Sequence, residues 1–313
     1  MWAENAYYGH RDTLARYADV RLGTPIPGRL QHGWQPGPGH CVDTFSQPGL
    51  HLVWSQRNVD AANAAGFSDV VAIGAPWLYA DLPLSDAQFS DAQFSDAGAA
   101  ADAGEALLAI PFHGWEREKV AGDFDRYADA LAVLAEREAK RVSVCMYWAE
   151  YEDPALRAVF ERRGFAVVTA GRRDDPDFLP ALRRLIFGHH VVTSNRVATA
   201  TFYALACRRD FVLHGPSMGL AGSDDPDGSA FDQWQRAAFP LLCQRPSGRL
   251  DPARAEALFA LGRRELGAEF VRDADTLREL LLWRRGQRPA LLAALGRRQL
   301  GRLRRALGGD GHR

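Results

Sequence analysis

The sequence lacks three features that mark common enzyme classes. It has only two lysines, Lys119 and Lys140, and neither stands in a loop suited to Schiff-base or Walker-type phosphate chemistry. Its four cysteines lie far apart and form no CxxC pair, so neither a zinc site nor a thioredoxin-like redox centre is supported. No G-x-G-x-x-G follows a strand pattern, which argues against nicotinamide chemistry. We therefore expect no cofactor.

Long apolar runs are also absent. No run approaches the roughly 20 residues that a membrane-spanning helix requires, and the N-terminal MWAENAYYGHRD has no basic stretch followed by an apolar one. A net charge of -1, with 47% hydrophobic and 25% charged residues, is typical of a soluble globular protein. We therefore expect a cytoplasmic protein that binds no nucleic acid.

Two motifs are present without the partners they need. The sequence GPSMG around Ser217 follows an apolar strand, as the nucleophile of an α/β-hydrolase does, but the only later histidine is His312. A hydrolase is therefore disfavoured. The Asp-x-Asp sequences at 123–125, 175–177 and 225–227 lie at a helix start or in proline turns, where aspartate serves the helix dipole or the turn. We therefore expect no metal site.

The second half of the chain alternates strand and helix patterns. Short apolar runs are separated by helical patterns, an order typical of a parallel βαβ sheet. The predicted strands cover residues 106–112, 142–147, 165–169, 191–193 and 211–214. The helical pattern at 123–140 places Phe124, Tyr127, Leu131 and Leu134 on one face. This half predicts a doubly wound sheet.

The first half shows a thinner version of the same pattern. Predicted strands at 30–34, 50–55 and 70–74 surround a helical stretch at 58–65. A tandem SDAQF repeat between the halves is typical of a flexible linker. We predict an α/β fold with two Rossmann-like domains facing a cleft. The predicted limits are a smaller N-terminal domain at 1–84, a linker at 85–104, a C-terminal domain at 105–270, and a helical C-terminal extension at 271–313.

Three helical patterns follow the last predicted strand, at 230–243, 252–266 and 273–285, and a fourth at 289–307 differs from them. It is a basic amphipathic helix, because arginines crowd the side opposite a broad leucine face. The leucines are Leu291, Leu292, Leu295, Leu303 and Leu307. Such a helix suits the anionic inner face of a membrane, and it equally suits packing on the protein body. Both interpretations stay open, whereas nucleic-acid binding is disfavoured because no aromatic residues are interleaved with the arginines.

Polar side chains gather where the predicted strands end. In the first half the ends are QHGW, WSQR and GAPWLY, and in the second half they are PFHG, YWAEY, TSNR and HGP. Ligands of parallel α/β sheets bind beyond such carboxyl ends. We therefore expect these groups to line one cleft between the domains.

The end TSNR is the most informative of these. It leads into a helix that opens at Thr199, whose first backbone N–H groups attract anions. Ser194, Asn195 and Arg196 add a hydroxyl, an amide and a guanidinium group. The sequence predicts that a nucleotide phosphate binds here, with an ordinary helix cap and a solvated arginine as the alternative.

Four segments together resemble a known enzyme group. The segments are QHGW, IGAPWLY, PFHG and above all TSN-x3-TATFYAL-x4-DFVLHGP. They are similar to GT-B-fold glycosyltransferases of bacterial surface polysaccharide assembly, in the broad neighbourhood of capsule Kdo transferases, bacterial sialyltransferases and polymer glycerophosphotransferases. The resemblance spans residues 30–285.

The resemblance implies a division of labour between the domains. The C-terminal domain would bind a nucleotide sugar, the N-terminal domain a glycan or lipid-linked acceptor, and a last helix at 273–285 would cross back. The chain departs from the group in its small N-terminal domain and in lacking an acidic D/E-D/E-G sialyltransferase motif. The second departure puts a CMP-linked donor in doubt.

An inverting glycosyl transfer needs a base, a pocket for the departing phosphate and exclusion of water. His32 is the first candidate for the base, because imidazole titrates near neutrality, and Asp43 is the second. The candidate phosphate ligands are His113, Gly114, Ser194, Asn195, Arg196 and Thr199. The candidate nucleoside or sugar ligands are Tyr147, Glu150, Tyr151 and His214. We expect a metal-independent glycosyltransferase whose co-substrate is a nucleotide sugar.

Other functions stay open at this point. A sugar-nucleotide epimerase-like enzyme or a glycerophosphotransferase of the same fold would use the same strand ends. A non-catalytic partner of a membrane glycan synthase would dock through the basic C-terminal helix.

Overall fold

The computed structural model describes residues 2–40, 42–45, 49–80, 106–138, 141–244, 251–287 and 289–296. The chain divides into two compact units. The first unit comprises residues 1–82 and 264–313, and the second unit comprises residues 83–263. The segment from residue 264 thus returns to the first unit, earlier than the domain end predicted at 270. The linker predicted at 85–104 lies outside the described residues.

The bounds of the elements follow the chain. The strands are β1 Arg29–Leu30, β2 His51–Val53, β3 Val70–Ala72, β4 Ala106–Ala109, β5 Val120–Ala121, β6 Arg141–Cys145, β7 Ala166–Val168, β8 Val191–Ser194, β9 Asp210–Leu213 and β10 Gly219–Leu220. The helices are α1 His10–Tyr17, α2 Val42–Phe45, α3 Gln56–Ala64, α4 Phe124–Glu138, α5 Trp148–Tyr151, α6 Pro154–Glu161, α7 Phe178–Phe187, α8 Thr199–Ala206, α9 Ser229–Ala238, α10 Pro240–Cys243, α11 Pro252–Glu265 and α12 Ala274–Leu280. Short 3-10 segments cover Ala3–Gly9, Pro76–Tyr79 and Ala268–Phe270. A last helical segment covers residues 289–296.

The second unit is built on a parallel sheet of five strands in the order β7-β6-β4-β8-β9. When only the five strands of this sheet are numbered along the chain, their order across the sheet is 3-2-1-4-5. This is the order of Rossmann-type doubly wound sheets. Strands β8 and β9 are buried along their whole length, as expected where helices cover both faces. The predicted α/β class and parallel sheet are confirmed, whereas the cleft between the domains stays a prediction.

The first unit contains a smaller parallel sheet in the order β1-β2-β3. On one face, Leu30, Leu52 and Ile73 join a cluster that also contains Leu14 of α1. On the other face, Val53 belongs to a second buried cluster. Apolar residues therefore face both sides of these short strands, as they do in the larger sheet.

The returning segment completes the core of the first unit. Leu277 and Leu281, at the end of α12, are fully buried in the same cluster as the strand residues. Asp273 caps this helix, since its carboxylate accepts a hydrogen bond of 2.9 Å from the backbone N–H of Thr276. The Trp283 indole N–H donates to the carbonyl of Pro25 at 2.8 Å. The first unit is therefore made from both ends of the chain.

The start of the basic amphipathic helix packs on the protein body. Leu291 is buried in the core cluster of the first unit and Leu295 packs against it, whereas Leu292 is 69% exposed. Residues 289–296 therefore pack on the protein body. The arginine-rich remainder of the predicted helix lies outside the described residues. In the part of the chain that the structure describes, no helix has the length and apolar character needed to cross a membrane.

Two features differ from the sequence predictions. The helix predicted at 230–243 is split into α9 and α10, because Pro240 cannot donate the backbone hydrogen bond that a continuous helix requires there. Strands β5 and β10 form an antiparallel pair that the sequence did not indicate. Two-residue strands leave no periodic pattern, and this pair joins residues about a hundred positions apart.

Replacing Gly267 by alanine tests how the returning segment is anchored. Gly267 has a φ of +69°, and an added Cβ would overlap the backbone oxygen of Trp54. Gly23 has a similar φ of +78° but open space around it, which makes Gly23→Ala the matched control. In chemical denaturation we expect Gly23→Ala to lose about 1–2 kcal/mol of unfolding free energy and Gly267→Ala roughly 4 kcal/mol or more. Equal losses would contradict the close approach.

Candidate functional site

Asn195 joins the ends of three strands in the second unit. Its side-chain oxygen accepts a hydrogen bond of 2.8 Å from the backbone N–H of Phe112, beyond β4. Its side-chain N–H donates to the carbonyl of Pro216, beyond β9, at 3.0 Å. The residue is 2% exposed. Asn195 therefore positions the loops around the point where the strand order reverses.

Arg196 places a positive charge at the same strand ends. Its guanidinium lies between the rings of Phe112 and Phe231, at 4.3 and 3.8 Å from their centroids. It also donates a hydrogen bond of 3.0 Å to the carbonyl of Met218. Burial lowers the pKa of Arg196, with Asp225 opposing the shift. An arginine keeps its proton under such conditions, so a half-buried cation stands here.

The turn between β8 and α8 is held by its own side chains. The Ser194 hydroxyl donates to the carbonyl of Arg196 at 2.9 Å and accepts from its backbone N–H at 3.2 Å. The helix cap is made by Thr201, whose hydroxyl oxygen accepts from the N–H of Ala198 at 3.1 Å. Helix α8 begins at Thr199, three residues after Arg196 in the sequence. The start of a helix and an arginine both favour anions, so an anion site here stays a prediction.

A second group of predicted residues meets at the ends of β4 and β6. The ring of His113 stacks on Tyr147, with centroids 4.6 Å apart and planes 11° apart. The Nδ1 atom of His113 lies 2.7 Å from the carbonyl oxygen of Gly114. Because a carbonyl can only accept, Nδ1 carries the proton and Nε2 is the basic nitrogen of the neutral ring. The backbone N–H of Gly114 donates to Oε1 of Glu150 at 2.8 Å.

The carboxyl group of Glu150 has a raised pKa. Burial raises its pKa to about 7, and the Gly114 hydrogen bond opposes that shift only in part. Its other oxygen, Oε2, is buried and has no hydrogen-bond partner among the described residues. Near neutrality the carboxyl can therefore either donate or accept a hydrogen bond at the strand ends.

Two other predicted ligands are turned towards helices. The Nε2 atom of His214 lies 2.9 Å from the carbonyl of Ala130, within α4. Tyr151 packs against the core cluster of the second unit, and the guanidinium of Arg157 lies 5.2 Å from its ring centroid. These contacts favour structural roles for both residues.

His32, the predicted base, lines a pocket of about 370 Å³ in the first unit. The walls come from the N-terminal 3-10 segment and its flank, from the loop after β1 and from the residues before α2. They include Trp2, Glu4, Arg29, Trp34 and His40 beside His32. Asp43 lies in α2, and its side chain is outside the described part of the structure.

Two histidines near His32 are kept uncharged. Burial and the proximity of His32 lower the pKa of His10 to about 3. Burial, with His51, His32 and Arg29 nearby, lowers the pKa of His40 to about 3. Both imidazoles are therefore neutral at physiological pH.

A buried carboxylate holds one wall of this pocket. Glu265, the last residue of α11, accepts a hydrogen bond of 2.9 Å from the indole N–H of Trp34. It also forms an ion pair of 2.8 Å with Arg57. Sequence reasoning missed this arrangement, because Trp34 and Glu265 are 231 positions apart and no pattern in the sequence links them.

Metal-ligating side chains do not gather in the described residues. No group of three or more histidine, cysteine, aspartate or glutamate side chains there is placed to hold a metal ion.

No protein-family model matches the sequence, and no curated protein matches it. Solved structures match at low similarity. A UDP-GlcNAc 2-epimerase from Neisseria meningitidis bound to UDP-GlcNAc is 12% identical, with a TM-score of 0.39 over 77% of this chain and 63% of that one. The S. aureus MnaA–UDP structure is 10% identical, with a TM-score of 0.43 over 86% and 70%. The wall teichoic acid polymerase TagF is 9% identical, with a TM-score of 0.34 over 83% and 60%.

The chain thus spans 63% and 60% of the length of the first and third of these proteins. At such identities and TM-scores, the similarities establish neither a family nor an activity. The functional interpretation therefore depends on the side chains at the strand ends and in the pocket.

Replacing Glu150 by glutamine tests the buried carboxyl. The folded protein binds this proton more tightly than the unfolded chain, so the proton stabilises the fold below about pH 4.5, and that stabilisation is lost as the pH rises through about 7. The thermal midpoint of Glu150→Gln should therefore rise relative to wild type between these pH values. Circular dichroism melts across this range measure it.

The control is Glu152→Gln, which removes an exposed carboxylate from the same stretch of chain. A difference between wild type and Glu150→Gln that stays constant with pH would contradict a buried, protonated carboxyl.

Proposed function

We propose that the protein is a glycosyltransferase that moves a sugar from a nucleotide-sugar donor to a glycan or lipid-linked acceptor in surface polysaccharide assembly. One observation supports this above all: the 3-2-1-4-5 sheet of the second unit has Arg196 and the start of α8 at its switch point. Doubly wound sheets bind nucleotides at that point. The reaction would take place in the cytoplasm, with the basic C-terminal helix as the contact to the inner face of the membrane.

The phosphate of the donor would bind at Arg196 and the first N–H groups of α8, with Thr199 beside them. A half-buried guanidinium forms strong, charge-assisted hydrogen bonds to phosphate oxygens. His113 would add a second cation only when protonated on Nε2, a form that burial disfavours because it lowers the pKa of the ring. These groups stabilise the charge that develops on the departing phosphate without a metal ion, which is why we propose a metal-independent transfer.

The nucleoside would lie beside Tyr147 and Glu150. The Oε2 atom of Glu150 has no protein partner among the described residues, so it is available to a ribose hydroxyl or to a base edge. Tyr147 already holds the ring of His113 by stacking. This arrangement links recognition of the nucleoside to the position of the imidazole.

The acceptor would bind in the pocket of the first unit, with His32 as the base. The acceptor oxygen forms a bond to the anomeric carbon while the bond from that carbon to the donor phosphate breaks. The acceptor proton passes to His32, and the electron pair of the broken bond stays on the phosphate. Such a displacement inverts the anomeric centre. Asp43 is the second candidate for the base.

Thermal-shift measurements with CMP, CDP, UDP and GDP, and with their sugars, test the nucleotide site. We expect one nucleotide class to raise the melting temperature, because a ligand at a hundred times its Kd stabilises a fold by about 2.7 kcal/mol. Arg196→Gln should reduce that rise, whereas Arg162→Gln, at an exposed arginine paired with Asp125, should keep it. The nucleotide site is rejected if no member of the panel stabilises the protein.

Replacing His32 by alanine tests the base. With the donor found in the panel, release of the nucleotide in the presence of acceptor should fall by about 10²–10⁴-fold, as expected for loss of general-base catalysis. The thermal shift with the donor should stay unchanged, because His32 belongs to the other unit. Full transfer by the variant would exclude His32 as the base. Formation of an epimerised sugar nucleotide, or transfer of glycerophosphate, would instead support the corresponding alternative function.

A further inference from the structure

Two hydrogen-bond acceptors in the pocket of the first unit have no partner among the described residues. They are Oε2 of Glu4 and Nε2 of His40. Both residues line the pocket beside His32, and His40 is only 9% exposed. Buried polar atoms are nearly always hydrogen-bonded, so two unsatisfied atoms in residues that line one pocket indicate that a ligand completes them.

The chemistry of His40 fixes what such a ligand must supply. The ring is hydrogen-bonded to the backbone of Leu52, and because Nε2 has no partner, the bond is made by Nδ1. A carbonyl can only accept, so Nδ1 carries the proton. Burial and the positive groups nearby lower the pKa of His40 to about 3, which keeps the ring neutral. Nε2 therefore offers a lone pair and requires a donor.

Glu4 makes the same demand. An ionised carboxylate accepts hydrogen bonds and donates none. The terminal torsion angle of a glutamate side chain takes a wide range of values, so a rotation of the carboxyl group can turn Oε2 towards the pocket. A carboxylate or phosphate group of a ligand has no proton to give to Glu4 or His40, and the one guanidinium on the described wall, that of Arg29, already lies over the ring of Trp2, 2.9 Å from its centroid. A hydroxyl supplies that proton and carries no charge.

We propose that this pocket binds an uncharged, hydroxyl-bearing group, a sugar ring or a glycerol unit, with Glu4 and His40 accepting hydrogen bonds from two of its hydroxyls. The volume of about 370 Å³ lies within the range of small-molecule sites. Binding of such a group does not depend on the proposed function. Its identification as the end of the acceptor does.

Ligand-observed NMR with named probes tests the inference without nucleotide. The neutral probes are glycerol, N-acetylglucosamine and methyl glucoside, and the anionic counterparts are glycerol 3-phosphate and glucuronate. We expect a neutral probe to bind more tightly than its anionic counterpart. Glu4→Met should weaken its Kd by about tenfold, the usual effect of losing one hydrogen bond.

The control is Glu269→Met, which removes an exposed glutamate outside the pocket and should leave the Kd unchanged. Glu4→Gln, which keeps one acceptor oxygen, should lie between wild type and Glu4→Met. His40→Phe tests the second acceptor, and the signal of the His40 Nε2 in wild type should move when the probe binds. If His40→Phe does not fold, the affinities of Glu4→Gln and Glu4→Met and the NMR signal of His40 Nε2 in wild type still decide the test.

Binding of the anionic probes alone, equal affinity in wild type and Glu4→Met, or no binding of any neutral probe would each overturn the inference. The nucleotide panel separates this outcome from failure of the proposed function. Sugar binding without nucleotide binding rejects the transferase and keeps the pocket. Nucleotide binding without sugar binding rejects the pocket alone.

Discussion

The second unit depends on one amide group. Asn195 directly follows β8, and its side chain accepts a hydrogen bond from the loop after β4 and donates one to the loop after β9. An aspartate has the same shape but cannot donate to the carbonyl of Pro216, and a leucine can make neither bond. The loops that meet at the switch point are thus held by a residue buried beneath them. Arg196 is therefore presented from a fixed support, which is what a preorganised anion site requires.

Much of the second unit was predictable because its signals are local. Strands such as β8 are covered on both faces and appear as short apolar runs, and α4 shows its buried face at helical spacing. The polar turn before α8 follows directly in sequence. The polar segments predicted at strand ends do lie at the ends of β4, β6, β8 and β9, but the sequence pattern does not give the direction in which a side chain points. His214 follows β9 as expected, yet its ring contacts α4 because a helix carbonyl lies within reach.

The pocket of the first unit was largely beyond sequence reasoning. His32 and Trp34 stood at a predicted strand end, whereas Glu4 comes from a 3-10 segment without periodicity and His40 from an irregular loop. The wall residue Trp34 is held by Glu265, which returns from the far end of the chain. Such contacts follow from tertiary packing, and neither spacing nor local propensity records them.

The two units place charge in opposite ways, and this contrast suits the proposed transfer. The second unit places a guanidinium where the donor phosphate of the proposed transfer would gain negative charge, and burial raises the pKa of Glu150 to about 7, so that its carboxyl is partly protonated near neutrality. The first unit surrounds His32 with imidazoles that remain uncharged. In the proposed transfer, a proton that His32 would take from the acceptor is therefore not repelled by His10 or His40, as it would be if either ring were cationic.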